Sequence, residues 1–188
     1  MHPSPEDWFD DVSFPDFEPS VAPYGLRRFV RGPVCTHWRQ PFDLVAGTVL
    51  ASAWFDRPGN PDRWTPDVGL YLDGDWAGGR IFSTPGWRPP FVPRPDAELV
   101  LFPWPDFGPP REPRRFRAAL LWLLERLSAD AVTEIGCAGG HGRTGTTLAA
   151  LLVLEGTSPV RAVNRVRSTY CSEAIESEEQ LRFIASLA

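Results

Sequence analysis

Residues 136–145 read Gly-Cys-Ala-Gly-Gly-His-Gly-Arg-Thr-Gly. A lone cysteine, Cys137, is followed by Ala138, Gly139, Gly140, His141 and Gly142, and then by Arg143 and Thr144. Residues without side chains let a loop turn its backbone N–H groups inward onto one point. The apolar run that follows Arg143 reads as a buried helix, and its N-terminal end adds a positive pole at that point. Arg143 offers two parallel donors, the fork that matches two oxygens of a phosphate. The donors that hold a phosphate also favour a thiolate over a thiol. A thiolate facing a phosphoryl group is a nucleophile, and Thr144 stands where its hydroxyl can donate to the Cys137 sulfur and ease its departure. The spacing therefore describes an anion cradle with a nucleophile at its base.

These residues need a strand before them and a helix after them. Residues 131–137 read as a short strand ending at the loop, and Arg143–Glu155 as an almost wholly apolar, buried helix. Upstream, Arg114–Leu127 has apolar residues at Phe116, Leu120, Leu121, Leu123, Leu124 and Leu127, a helical spacing. Downstream, a third helix begins at Ser158 as cap with Pro159 in its first turn, and a fourth at Ser177 and Gln180 as a capping box. The proline-rich first half offers strand candidates at Thr48–Ala53, Val68–Leu72, Arg80–Phe82 and Glu98–Phe102. Strands first, then strand–loop–helix, predict one α/β layered domain over residues 26–188, with a central, mostly parallel sheet flanked by helices. Residues 1–25 mix acids, prolines and aromatics without period and read as an extended tail whose Trp8, Phe9, Phe14 and Phe17 dock on the domain or on a partner.

The chain has 188 residues, enough for one sizeable core, with 43% hydrophobic and 23% charged residues. All 19 basic residues are arginine. Without lysine, neither a Walker-type phosphate loop nor Schiff-base chemistry is available. The net charge of −5 gives no bulk attraction to nucleic acid or an anionic membrane, and no run is long enough to span one. The first 22 residues carry six acids and no arginine, while the remainder is nearly balanced, with 18 acids against 19 arginines. Three cysteines, Cys35, Cys137 and Cys171, make neither a disulfide framework nor a CxxC pair. The acidic, proline-broken start is no secretory leader, so a reducing cytoplasm is the expected location. Cys35 and His37 lack partners at zinc spacing, and neither a metal nor another cofactor is expected.

Cys137-Ala-Gly-Gly-His-Gly-Arg143-Thr144-Gly resembles the CX5R signature loop of the cysteine-dependent protein tyrosine phosphatases. Phe102–Gly108, Phe-Pro-Trp-Pro-Asp-Phe-Gly, resembles the acid loop of the same superfamily, the WPD loop, and lies 31 residues upstream when counted from Asp106 to Cys137. The resemblance, in the bacterial tyrosine and dual-specificity members, covers residues 98–188. It implies a phosphomonoester hydrolase acting through a phosphocysteine intermediate, a protein-tyrosine phosphatase or its dual-specificity variant, with phosphorylated protein or peptide as substrate. Cys137 is then the nucleophile, Asp106 the general acid and base, and Thr144 the donor to the sulfur. Arg143 and the amides of Ala138, Gly139, Gly140, His141 and Gly142 bind the phosphoryl oxygens, and Trp104 borders the substrate. Phosphate, vanadate and sulfate are the implied ligands of the loop, with no nucleic acid or membrane partner. A non-catalytic phosphate-binding module of the same fold, or a phosphatase for lipid or nucleotide phosphates, are the alternatives.

Two positions depart from the pattern. Gly136 stands where the family usually has histidine before the nucleophile. Residues 174–183 resemble the family's glutamine loop, where Glu176 matches the first glutamine and Gln180 the second, so that either is a candidate for positioning the hydrolytic water. His141 is read either as a rim residue that influences substrate choice or as a simply exposed side chain. Cys35 and Cys171 read as core cysteines or as partners of Cys137 in a reversible disulfide.

Overall fold

The computed structural model describes residues 36–53, 66–73, 96–105, 107–127 and 131–188. The N-terminal tail, Cys35, the strand candidate Arg80–Phe82 and Asp106 lie outside the described residues. The elements are β1 (Gln40–Asp43), β2 (Thr48–Ala53), β3 (Val68–Asp73), β4 (Glu98–Pro103), α1 (Pro113–Leu127), β5 (Thr133–Cys137), α2 (Gly142–Leu154), α3 (Pro159–Thr169) and α4 (Glu178–Ala185). The strands form one sheet in the order β1-β2-β5-β3-β4. β2, β5, β3 and β4 run parallel, and β1 pairs antiparallel with β2 at the edge. The expected α/β fold class, with a mostly parallel sheet, is the observed one.

β5 lies between β2 and β3, and all five of its residues are buried, as a strand covered on both faces requires. In a parallel sheet the carboxyl ends of all strands share one edge, where ligands of such folds bind. Cys137 pairs with Ala53 at that edge, and Trp104 follows directly from the end of β4. Strand order alone thus brings the glycine loop and the start of the Trp104–Gly108 segment to one side of the sheet.

α2 follows the loop and is buried from Gly142 to Val153, packed against α1, α3, α4 and β5. Its interior threonines satisfy their hydroxyls within the helix, Thr146 to the Gly142 carbonyl at 2.7 Å and Thr147 to the Arg143 carbonyl at 2.8 Å. In α1 the buried face carries Phe116, Ala119, Leu120, Trp122, Leu123 and Leu127. Leu121, read as part of that face, is instead 45% exposed, since it stands about 100° around the helix from Leu120. Phe116 is the centre of an aromatic cluster, with ring centroids 4.7 Å from Trp104, 5.0 Å from Phe102 and 5.7 Å from Phe183.

β1 escaped notice because it has four residues, includes Pro41 and shows no clean alternation. Such a strand is tolerated only at a sheet edge, where it lies. Ser158 precedes α3 as expected, but its side chain makes no capping bond. Ser177 does cap α4, accepting from the Gln180 N–H at 3.1 Å. The return half of the capping box is missing, because the Gln180 Oε1 accepts instead from the Glu176 N–H at 2.8 Å.

α2 approaches the 174–175 turn so closely at Gly145 that a β-carbon there would lie 2.6 Å from the Ala174 Cβ and 3.2 Å from the Ile175 backbone nitrogen. Overpacking against backbone costs about 1–3 kcal/mol, against a helix-propensity gain of about 1 kcal/mol for alanine. Gly145→Ala is therefore expected to lower the melting temperature, and a scanning calorimetry trace with an unchanged or raised midpoint would show that the turn yields freely.

Candidate active site

The loop between β5 and α2 closes over its own cysteine. Cys137 is 2% exposed, and the Thr144 hydroxyl donates to its sulfur at 3.0 Å, the contact expected from the spacing. Arg143 is also buried, and its Nη1 donates to the Trp104 carbonyl at 3.2 Å. The Trp104 ring is fully buried against Phe116 and Phe183, and its Nε1 donates to the Gly108 carbonyl at 2.7 Å. The ring therefore holds the Gly108 carbonyl from inside the core rather than bordering a ligand. Trp104 meets the site through its carbonyl, because an indole of that size is most stable where its apolar faces are covered and its N–H is satisfied.

The glycines have separate tasks. Gly140 has φ 72°, in the left-handed region, and a β-carbon there would lie 2.9 Å from the Ala53 Cβ and 3.0 Å from the His37 Cβ. At Gly142 a β-carbon would collide with the Glu176 carboxylate and come within 2.9 Å of the Gln180 Nε2. The two water-positioning candidates thus lie together against the glycine that precedes Arg143. Gln180 is fully buried, and its Nε2 donates to no protein acceptor among the described residues.

The segment carrying Glu176 is held under strain. Ile175, a β-branched residue, has φ 64°. Arg167 of α3 fixes the turn from below, its Nε donating to the Ala174 carbonyl at 3.1 Å and its Nη2 to the Ile175 carbonyl at 2.9 Å. The Ile175 N–H reaches the His141 carbonyl at 3.4 Å, which ties the turn to the glycine loop.

Gly136 pairs with Ser52 of β2 and Tyr71 of β3. A β-carbon at Gly136 would sit at ordinary contact, 3.6 Å from Tyr71 Cδ1 and 3.4 Å from the Ser52 carbonyl oxygen. The Tyr71 ring, 1% exposed, covers the face where a longer side chain at Gly136 would project. Burial first, and then the nearby Glu134 carboxylate, push the Tyr71 phenol well above its ordinary range, so it stays a neutral hydroxyl. Glu134, 3% exposed on β5, is raised too, mainly by burial, while the Ser52 hydrogen bond and Arg39 pull it back. The Arg39 Nε lies 3.4 Å from the Glu134 Oε2. Sequence reading missed this group, since alternation along a strand says which residues are inside but not which of them meet.

His141 is half-buried and makes no side-chain cap to α2. Its ring meets His37 edge-on at 4.9 Å between centroids, and its Nδ1 is 3.5 Å from the Cys171 sulfur. One ligand atom from each of His37, His141 and Cys171 lies within 4.8 Å of the others, which makes them a metal-capable group among the described residues. Cys137 and Cys171 are both free thiols.

Because Glu134 binds its proton more tightly folded than unfolded, its contribution to stability is full below its ordinary value of about 4.5 and is lost as pH rises through the raised value. Glu134→Gln should gain stability relative to the parent as pH goes from about 4 to about 7. Thermal melts of both proteins across that range check this, and a flat difference would mean that the carboxylate does not titrate there.

A family model described as the DSP-PTPase phosphatase domain of the Swiss Army Knife protein matches residues 91–187, more than half of the chain. Two uncharacterised proteins of Methanocaldococcus jannaschii are similar over shorter stretches. One is 41% identical over 63 residues, 34% of this chain and 38% of the relative, and the other 46% identical over 50 residues, 27% and 33% respectively. The chain thus spans about a third of the length of the curated relatives it matches. Among solved structures, Tk-PTP in its active form superposes with a TM-score of 0.51 at 26% identity, covering 65% of this chain and 78% of the other.

Proposed function

The chain belongs to the DSP-PTPase phosphatase-domain family, within the cysteine-dependent dual-specificity and tyrosine phosphatase superfamily, and from that premise we propose that it is an active phosphatase that hydrolyses phosphotyrosine in proteins or peptides through a phosphocysteine. The observation that carries the reading is the 3.0 Å contact between the Thr144 hydroxyl and the Cys137 sulfur at the mouth of a strand–glycine loop–helix unit. A hydroxyl donating to sulfur stabilises the thiolate both as attacking group and as leaving group.

In the first step the Cys137 thiolate attacks phosphorus in line, the P–O ester bond breaks, and Asp106 gives its proton to the departing oxygen. The loop amides from Ala138 to Gly142 and the Arg143 guanidinium hold the three non-bridging oxygens, over which the transition-state charge spreads. In the second step water attacks the phosphocysteine, Asp106 takes its proton, and the sulfur leaves as a thiolate held by Thr144. The buried Nε2 of Gln180 is a donor in want of an acceptor, and the Glu176 carboxylate beside it can accept a hydrogen bond. Together they suit the orientation of that water. The reading places the enzyme in the cytoplasm, where glutathione keeps a reactive thiol reduced.

A panel of phosphotyrosine, phosphoserine and phosphothreonine peptides tests the substrate class, and turnover of all three alike would move the reading to dual specificity. Cys137→Ser is expected to abolish turnover and to retain binding of phosphate, vanadate or sulfate, because the alcohol is a far weaker nucleophile while the donors remain. Residual turnover at a substantial fraction of the parent rate would exclude the covalent route.

Asp106→Asn should lower kcat by about 10²–10⁴ for tyrosyl or alkyl esters. The loss should be much smaller for a nitrophenyl ester, whose leaving group departs without a proton. Equal losses on both substrates would make Asp106 a structural residue.

A further inference from the structure

Beside the glycine loop three side chains from distant parts of the chain converge. His37 precedes β1, His141 belongs to the loop, and Cys171 follows α3. The pair Cys171 Sγ and His141 Nδ1 is 3.5 Å apart. A tetrahedral zinc with a sulfur at about 2.3 Å and a nitrogen at about 2.0–2.1 Å requires a separation of about 3.6 Å between them. The remaining ligand-atom separations are at most 4.8 Å. Small rotations of the two imidazoles bring them to the about 3.3–3.6 Å of such a shell.

The surroundings prepare each donor. Gln40 Nε2 donates to the Tyr170 carbonyl at 3.2 Å, which fixes the orientation of its amide and turns Oε1 toward His37 Nδ1 at 3.1 Å. An amide oxygen only accepts, so Nδ1 carries the proton and Nε2 presents its lone pair. This is the outer hydrogen bond that metal-binding histidines characteristically make. The Tyr170 ring packs on His37 at 4.7 Å, while its hydroxyl donates to the Gly140 carbonyl at 2.6 Å, which joins the imidazole's support to the loop itself. The Glu173 N–H donates to the Cys171 sulfur at 3.3 Å, a contact that favours the thiolate. His37 and Cys171 are buried, and His141 is half-buried and leaves an approach open.

We propose that His37, His141 and Cys171 bind one thiophilic divalent cation of the zinc class and thereby clamp the glycine loop to the segment before β1 and to the turn after α3. Two imidazoles and one thiolate are borderline-soft donors that select zinc or cobalt over magnesium or calcium. On binding, the Cys171 thiol loses its proton to solvent and a metal–sulfur bond forms, with no change of oxidation state, so affinity rises with pH. His141 stands two residues before Arg143, and the cation holds it to two segments that the loop otherwise meets through weaker contacts.

The test uses the full chain carrying Cys35→Ser and Cys137→Ser, stripped of metal and titrated with cobalt(II) and with zinc against a chromophoric chelator. One equivalent should bind, a sulfur-to-cobalt charge-transfer band should appear, and the melting temperature should rise. Adding Cys171→Ser should abolish the band and weaken zinc at least tenfold, and Gln40→Ala should weaken it about tenfold while the band persists. X-ray absorption of the zinc-loaded parent should show one sulfur at about 2.3 Å, and it decides the matter even if Cys171→Ser fails to fold. No stoichiometric binding, a zinc shell without sulfur, or an affinity indifferent to Cys171→Ser would overturn the proposal. None of these readouts depends on turnover, so their outcome is separate from that of the phosphatase reading.

Discussion

A guanidinium taken out of water must be given acceptors, and the burial of Arg143 is the constraint to which the rest of this site answers. The residue is 2% exposed at the start of α2, and the Trp104 carbonyl supplies one acceptor. An unpaired buried charge costs several kcal/mol, so the end of β4 must lie within reach of the start of α2. The parallel order β5-β3-β4 puts it there. The Trp104 side chain is in turn fixed by Phe116 of α1, Phe183 of α4 and the Gly108 carbonyl. One buried cation thus draws on both flanking helices and on two strands.

Much of this was legible in the chain because the signals are local. The apolar run of β5, the glycines, and the unbroken apolar text of α2 state their structure within two dozen residues, and the α/β architecture follows from their order. What escaped has non-local causes. β1 is specified by its pairing with β2, and its own four residues carry a proline that argues against a strand. The spacing of Ser177 and Gln180 describes a capping box, but spacing cannot say that the Gln180 amide oxygen prefers the Glu176 N–H. The motif around Trp104 points to a ligand, whereas its ring is core. His37, His141 and Cys171 lie 104 and 30 residues apart along the chain, and no motif of fixed spacing connects them.

Directly before Cys137 the strand carries no side chain, and its neighbours in the sheet cover the position. Gly136 offers nothing of its own, yet its place in the sheet is flanked by Ser52 and Tyr71. Behind them the Arg39–Glu134 pair keeps charge inside the core, with the carboxylate displaced toward its neutral form.

The turn that carries Glu176 is kept in place by a side chain outside the site. Ile175 holds a left-handed backbone that costs on the order of 1–3 kcal/mol, and the bonds from Arg167 to two successive carbonyls help maintain it. The mutational footprint of the site therefore extends to the flank of α3. A substitution at Arg167 would relax the turn and let Glu176 drift from Gly142.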